Sequence, residues 1–252
     1  MTDPRRRTFT DVQWFSELGS TNTWLLEAAA SGVPEGTVVV ADRQSAGRGR
    51  LGRRWESAPG SGLLTSLLFR PRLEAEDLFS VAALGTLAAR DAIEATAGVD
   101  AGVKWPNDLV VEGAKVAGVL SETRGVGTAE LAVVVGIGIN IRWPMPGRDA
   151  TEFNATCLDA VAGRRVDREG LLEALLEAVN ARRPMLDNPE DRVALIGELE
   201  SRSVTIGRPV RVELGEESFS GTAVSLDATG RLVVDTAAGR RVVSAADVVH
   251  LR

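Results

Sequence analysis

Tyrosine is absent from the chain, cysteine and histidine occur once each, and only two of its 29 basic residues are lysine. Each scarcity excludes something. The lone Cys157 has no intrachain partner, so an internal disulfide, a thiol redox pair and a cysteine zinc pattern are ruled out. The lone His250 leaves no material for histidine-based triads or histidine-rich metal sites, so any chemistry must use other groups. No apolar run approaches the roughly 18 residues that a spanning helix needs. The basic Arg5-Arg6-Arg7 is not followed by the apolar stretch of a secretory signal. A cytoplasmic protein without a membrane role is expected. Fewer than about a dozen residues precede the first expected strand, too few for a helix-turn-helix module, so no DNA-binding domain is expected.

What is present is globular. Hydrophobic residues make up 44% of the chain and charged residues 25%, close to the averages of folded domains and far from those of disordered chains. A length of 252 residues accommodates one substantial core and a small second module. The net charge of −6 supplies no overall attraction for nucleic acid, although local clusters can still hold phosphate. Lys104 and Lys115, the two lysines, lie eleven positions apart in an arginine-dominated background. A lysine retained in such a background points to a site that needs a compact, rotatable ammonium rather than a planar fork.

Apolar and β-branched patterning predicts strands at 12–17, 37–41 and 62–69, and a helix after Gly19-Ser20-Thr21-Asn22 that ends at Gly32, capped by Ser20 or Thr21. A long helix is expected over 76–97, a hairpin through Leu109-Val110-Val111 and Lys115 to Glu122, and an apolar strand over 130–141 ending in Gly136-Ile137-Gly138-Ile139-Asn140. Helices follow at 168–185 and 191–201. From residue 204 onward, short strands broken at glycines read as a small β-barrel, with the domain boundary near 202.

Arg48, Arg50, Arg53 and Arg54 alternate with Gly47, Gly49 and Gly52 between two of these elements. Such a loop can wrap guanidinium groups around phosphate, and four like charges so close together favour a loop that orders on binding its anion. A solvated turn or an RNA-contacting loop has the same composition. Downstream, Lys104-Trp105-Pro106-Asn107-Asp108 and Lys115-Val116-Ala117-Gly118 fit one hairpin-like site. A carboxylate attacking the α-phosphate of ATP needs cations that neutralise both partners and hold them in line, and Lys115 can touch both. Trp105-Pro106 as a packed turn and Asp108 as a turn residue or cap are the structural alternatives.

Taken together and in order, Gly19-Ser20-Thr21-Asn22, Gly47-Arg48-Gly49-Arg50-Leu51-Gly52-Arg53, Lys104-Trp105-Pro106-Asn107-Asp108, Lys115-Val116-Ala117-Gly118 and Gly136-Ile137-Gly138-Ile139-Asn140 resemble the biotin protein ligase family, in its branch without a DNA-binding domain. The resemblance implies an α+β fold: a class II synthetase-like catalytic domain, a mixed sheet with flanking helices, over 1–201, and a small SH3-like β-barrel over 202–252. It implies formation of biotinyl-5'-AMP and pyrophosphate from biotin and ATP with Mg2+, then transfer of biotin to a lysine of a biotin carboxyl carrier protein or domain. Biotin would meet Ser20, Thr21, Asn22, Gln44, Gly47, Arg48, Lys115 and Gly118. ATP would meet Arg50, Arg53, Trp55, Asn107 and Asn140, with Lys115, Arg48 and Arg50 catalytic and Asp108 a magnesium ligand or its neighbour. Trp55 could stack on adenine or cover the core when the loop closes.

Leu51 departs from the pattern, standing where a further arginine is common, and so does Cys157, where serine is common. Two other readings remain open on sequence: attachment of lipoate or octanoate by a related ligase, against which the Gly-Arg-Gly-Arg loop argues, and a non-enzymatic RNA-binding module, against which the acidic balance argues.

Overall fold

In a computed structural model the described residues are 8–142, 154–215, 217–244 and 246–251. Arg5-Arg6-Arg7 lies outside them. Seven strands form the larger sheet: β1 (Asp11–Leu18), β2 (Thr37–Gln44), β3 (Gly62–Phe69), β4 (Gly102–Lys104), β5 (Asp108–Val111), β6 (Ala114–Arg124) and β7 (Ala132–Asn140). Their order is β1-β2-β3-β7-β6-β5-β4, with β1 parallel to β2 and every other pairing antiparallel.

Side-chain alternation divides this sheet into two unlike faces. On one, Val38, Val40, Leu67, Val133, Val135 and Ile137 join the main core with helix α2 (Phe79–Ala97) and helix α4 (Arg168–Arg182). On the other, Val39, Leu68 and Val134 pack under Leu25 and Ala29 of helix α1 (Thr21–Ala30). Burial on both faces explains why β3, apolar except for Thr65 and Ser66, shows no polar–apolar alternation: all eight of its residues are buried. Helix α1 covers only part of its face. Further along the strand, the residues in phase with Val134 are Gly136, under Asn22 at the start of α1, and Gly138 beyond it, and the sheet surface there is a floor of small residues.

The expected start of the long helix at residue 76 is occupied instead by a 3-10 turn, Ala75–Asp77, and the α-helix begins at Phe79. Likewise the helix expected over 168–185 becomes a 3-10 turn at Arg183–Asp187, with Pro184 in it. Short helices α3 (Leu158–Ala162) and α5 (Pro189–Ser201) complete the larger unit.

Five further strands, β8 (Pro209–Leu214), β9 (Glu217–Leu226), β10 (Leu232–Thr236), β11 (Gly239–Val243) and β12 (Asp247–His250), form a separate antiparallel sheet in the order β11-β10-β9-β8-β12. Its core of Val210, Val212, Ala223, Leu232, Val234, Val243, Ala246 and Val248 takes in Trp105 from the larger unit, and Phe79 of α2 packs against it. That indole donates to the Gly230 carbonyl at 3.0 Å, and the Trp105 N–H reaches the Thr205 hydroxyl, also at 3.0 Å. The segment between β4 and β5 is thus anchored in the C-terminal barrel, which fixes the barrel beside the glycine floor. No helix among the described residues is long and apolar enough to cross a membrane.

Candidate active site

A cleft of about 280 Å3 opens over that floor. Ser20, Thr21, Asn22, Gln44, Arg48, Arg50, Arg53, Trp55, Asn107, Asp108, Lys115 and Gly118 line it. Two sequence-derived candidates do not. Gly47 lies in an adjoining surface hollow, and the Asn140 amide is turned to the Thr156 carbonyl at 3.1 Å.

At one end the walls are polar and neutral. Ser20 caps α1, its hydroxyl accepting from the Thr23 N–H at 3.4 Å. This frees the Thr21 hydroxyl to donate to Gln44 Oε1 at 3.1 Å, while the Thr21 N–H donates to the same oxygen at 2.8 Å. Ser66, fully buried on β3, lies 2.7 Å from the Thr21 hydroxyl and donates to Asn22 Oδ1 at 2.6 Å. Asn22 in turn donates to the Leu120 carbonyl at 3.1 Å and to Glu122 Oε2 at 2.9 Å. Its amide is therefore engaged at both ends by the protein itself.

The other end is charged. Lys115 Nζ lies 2.5 Å from Asp108 Oδ1 and 5.3 Å from the centre of the Trp55 ring. Asn107 donates to the Val119 carbonyl at 2.7 Å, tying the β4–β5 turn to β6. Arg50 reaches Asn107 Oδ1 and the Ala246 carbonyl, both at 3.4 Å. Burial lowers the pKa of Arg50 from its ordinary value, opposed by Asp247 and Asp108 and reinforced by neighbouring Arg53. A guanidinium nonetheless stays charged at neutral pH, so the cleft holds a partly desolvated cation with unused donors.

The arginine loop is tied to itself by backbone contacts. Arg48 and Arg54 form an isolated β-bridge, Gly49 N–H donates to the Arg53 carbonyl at 2.8 Å, and Arg50–Gly52 makes a 3-10 turn. Carboxylates flank it. Arg48 pairs with Glu122 at 2.8 Å and Arg53 pairs with Asp247 of β12, so the mutual repulsion of the loop is offset from two sides. Leu51 sits at the loop's turn with φ of 54° and is largely exposed. Trp55 closes the loop, its N–H donating to the Gly47 carbonyl at 3.1 Å. Its indole covers Gly118 and Gly138, and its ring N–H is buried without a protein acceptor among the described residues. A buried donor left unpaired costs about 1–3 kcal/mol, and here the nitrogen is turned against Gly138.

Sequence reasoning missed Ser66, Glu122, Glu213 and Asp247. Glu122 had a usable signal, being in phase with Gly118 and Leu120 on a strand of period two. Ser66 had none, because β3 is buried on both faces. Glu213 and Asp247 reach the cleft from the barrel, a juxtaposition that no local pattern carries.

No cluster of three or more metal-ligating side chains occurs among the described residues. Asp108 alone suits a magnesium ion that brings phosphate oxygens and water as its remaining ligands.

Residues 14–140 match the biotin/lipoate A/B protein ligase family, and residues 205–251 match the biotin protein ligase C terminal domain. The biotin–[acetyl-CoA-carboxylase] ligase of Mycobacterium tuberculosis is 36% identical over 243 residues, covering 94% of this chain and 88% of that protein. The bifunctional ligase/repressor BirA of Bacillus subtilis is 34% identical over 233 residues, or 92% of this chain and 71% of that protein. A biotin protein ligase from Aquifex aeolicus, solved in complex with biotin and ATP, superposes with a TM-score of 0.80 at 30% identity, covering 97% of this chain and all (100%) of that one.

Proposed function

Since the chain belongs to the biotin/lipoate A/B protein ligase family, we infer that it is an ATP-dependent biotin protein ligase working through two half-reactions in this one cleft. The biotin carboxylate attacks the α-phosphorus of ATP, a P–O bond forms, and pyrophosphate leaves. The resulting biotinyl-5'-AMP is a mixed anhydride. The deprotonated ε-amine of an acceptor lysine then attacks its carbonyl carbon, an amide forms, AMP departs, and the proton is lost to solvent. No covalent enzyme intermediate is required.

The observation that carries this reading is the convergence of Lys115, Arg48 and Arg50 on a cleft whose floor is glycine and whose far end is neutral and polar. Gly118 and Gly138 let the Trp55 indole lie flat against the sheet, and that flat aromatic wall beside the cleft suits a flat bicyclic ring. The hydroxyls of Ser20 and Thr21 and the Gln44 amide suit a neutral ureido group, with Asn22 shaping that end and Gly47 letting the loop pass close to Trp55. A Cβ on Gly47 would stand 2.3 Å from the Trp55 carbonyl oxygen. Lys115 and Arg48 hold the carboxylate and the α-phosphate together as charge passes between them. Arg50, Arg53 and Asn107 face the rest of the nucleotide, and Trp55 covers the reacting groups against water. Magnesium enters with ATP as part of the substrate, with Asp108 as its protein contact or that of its water. Asn140, in phase with Gly136 and Gly138 and held by Thr156, would act on the nucleotide side as a supporting residue.

The acceptor is a carrier domain of a biotin-dependent carboxylase. Strand β6 extends past the end of β5, which pairs with it no further than Gly118, whereas β7 pairs with it through Arg124. Val119 still exchanges hydrogen bonds with Asn107, but residues 121–124 have a strand partner on one side alone, next to the Arg48–Glu122 contact, and offer main-chain groups to an incoming strand. We place the domain boundary at residue 202, with 1–201 bearing the chemistry and 202–252 closing it through Asp247 and Trp105. The use of ATP and a single buried thiol agree with a cytoplasmic location.

The test is transfer itself. Incubation with biotin, MgATP and a biotin carboxyl carrier domain should add one biotin to one carrier lysine, read by intact mass. Modification with lipoate or octanoate in place of biotin would assign the chain to the sister activity.

A further inference from the structure

Glu122 belongs to none of the motifs that point to this site, yet it touches two of them at once. Its Oε1 pairs with Arg48 Nη2 at 2.8 Å and its Oε2 accepts from Asn22 Nδ2 at 2.9 Å. Asn22 is buried and continues through Ser66 to Thr21 and Gln44. Gln44 is the last residue of β2, and Arg48 follows four residues later. The polar chain from Gln44 through Thr21, Ser66, Asn22 and Glu122 therefore returns to the loop at Arg48 and closes a ring around its root.

We propose that Glu122 is a positioning residue for biotin binding, which fixes the Arg48 guanidinium over the neutral end of the cleft and couples it to the biotin-facing wall. The proposal rests on the biotin reading above and goes beyond it by assigning a role to a residue outside the reacting groups. The geometry leaves Glu122 little alternative. Asn22 cannot turn its amide over, because its nitrogen is also needed by the Leu120 carbonyl and its oxygen by Ser66. One Glu122 oxygen is thus committed to Asn22, and the other is left for the guanidinium. Arg48 spends a single nitrogen on this contact, so further N–H groups remain for the biotin carboxyl. Holding a half-exposed arginine in place before the ligand arrives removes ordering entropy from the binding step.

Glu122→Gln separates the two arms. Its one remaining oxygen stays with Asn22, and its NH2 is then turned against Arg48, donor against donor. With folding checked by thermal midpoint, biotin affinity by calorimetry and KM by ATP–pyrophosphate exchange should each weaken about fivefold, the range of a partly exposed ion pair. The KM for MgATP should stay within about twofold of the parent, because Arg50, Arg53 and Asn107 face the rest of the nucleotide, whereas kcat is free to fall, since Arg48 also meets the α-phosphate. In an Arg48→Ala background the same change should have no further effect on biotin affinity. Tighter biotin binding by Glu122→Gln would overturn the proposal, because Glu122 would then be competing with biotin for Arg48. An unchanged affinity, an equal loss for ATP, or an effect that persists without Arg48 would also overturn it. Absence of biotin binding by the parent protein would remove the biotin reading itself, a result distinct from all of these.

Discussion

Gly118 of β6 and Gly138 of β7 stand directly opposite one another, and the Trp55 indole lies across the pair. A Cβ on Gly138 would come within 2.5 Å of the indole, and one on Gly118 within 3.1 Å of it and 3.0 Å of the Lys115 side chain. Floor, indole and ammonium therefore form one packed unit that links the end of the arginine loop to the proposed catalytic lysine.

Gly138→Ala should break that unit without unfolding the sheet, since the added methyl group meets a loop side chain rather than the core. Overpacking of this kind costs about 1–3 kcal/mol, so the KM for biotin should rise about tenfold while the thermal midpoint moves little. Exchange kinetics and a thermal melt read the two effects separately. An unchanged KM would show that the indole is not held by the glycine floor during turnover.

Trp105→Ala should be strongly destabilising. The side chain is almost fully buried in the core of the barrel and donates to Gly230, although it belongs to the larger unit. Large-to-small changes at such tryptophans cost about 3–5 kcal/mol. Chemical denaturation should show this loss, whereas Trp105→Phe should recover part of it through packing alone. A loss below about 1 kcal/mol for the alanine variant would mean that the barrel core closes without this residue.

His250 gives stability a pH dependence. Burial lowers its pKa below the ordinary 6.5, and the charges of Lys104 and Arg208 act in the same direction. A neutral ring in the folded state and a protonated one in the unfolded state mean that the unfolded chain binds more protons at mildly acidic pH. The contribution is complete above pH 6.5 and is lost as pH falls below that value towards the lowered pKa of the folded state. The ring nitrogen lies 3.0 Å from the Thr205 hydroxyl, which also holds the Trp105 N–H, so the strain falls on the junction between barrel and sheet. Thermal midpoints measured from pH 7.5 to 5 should fall for the parent and fall less for His250→Gln; identical slopes would contradict this.

Much of this fold is legible in the sequence because each strand and helix obeys its own period. Gly136-Ile137-Gly138-Ile139-Asn140 even carries the division of the sheet into a core face and a cleft face, isoleucines to one side and glycines to the other. The 3-10 turn before Phe79 escapes, since it carries the same residue types as the helix it precedes, whereas the turn after Arg182 has a readable signal in Pro184. Site residues are legible where they cluster in short motifs. Ser66, Glu122 and Asp247 are not, because their roles arise from partners 44, 100 and 194 positions away in sequence. Asn140 illustrates the converse: it lies in a motif, but its amide is taken by Thr156.

The most direct test of the account is ATP–pyrophosphate exchange with magnesium, comparing biotin, lipoate and octanoate on the parent protein and on Lys115→Ala. Exchange that requires biotin and falls about 100-fold or more without the Lys115 ammonium is expected, the scale of losing one group that stabilises transition-state charge. Undiminished biotin-dependent exchange by Lys115→Ala would contradict the central role given to that lysine, and exchange driven by lipoate or octanoate instead would contradict the substrate.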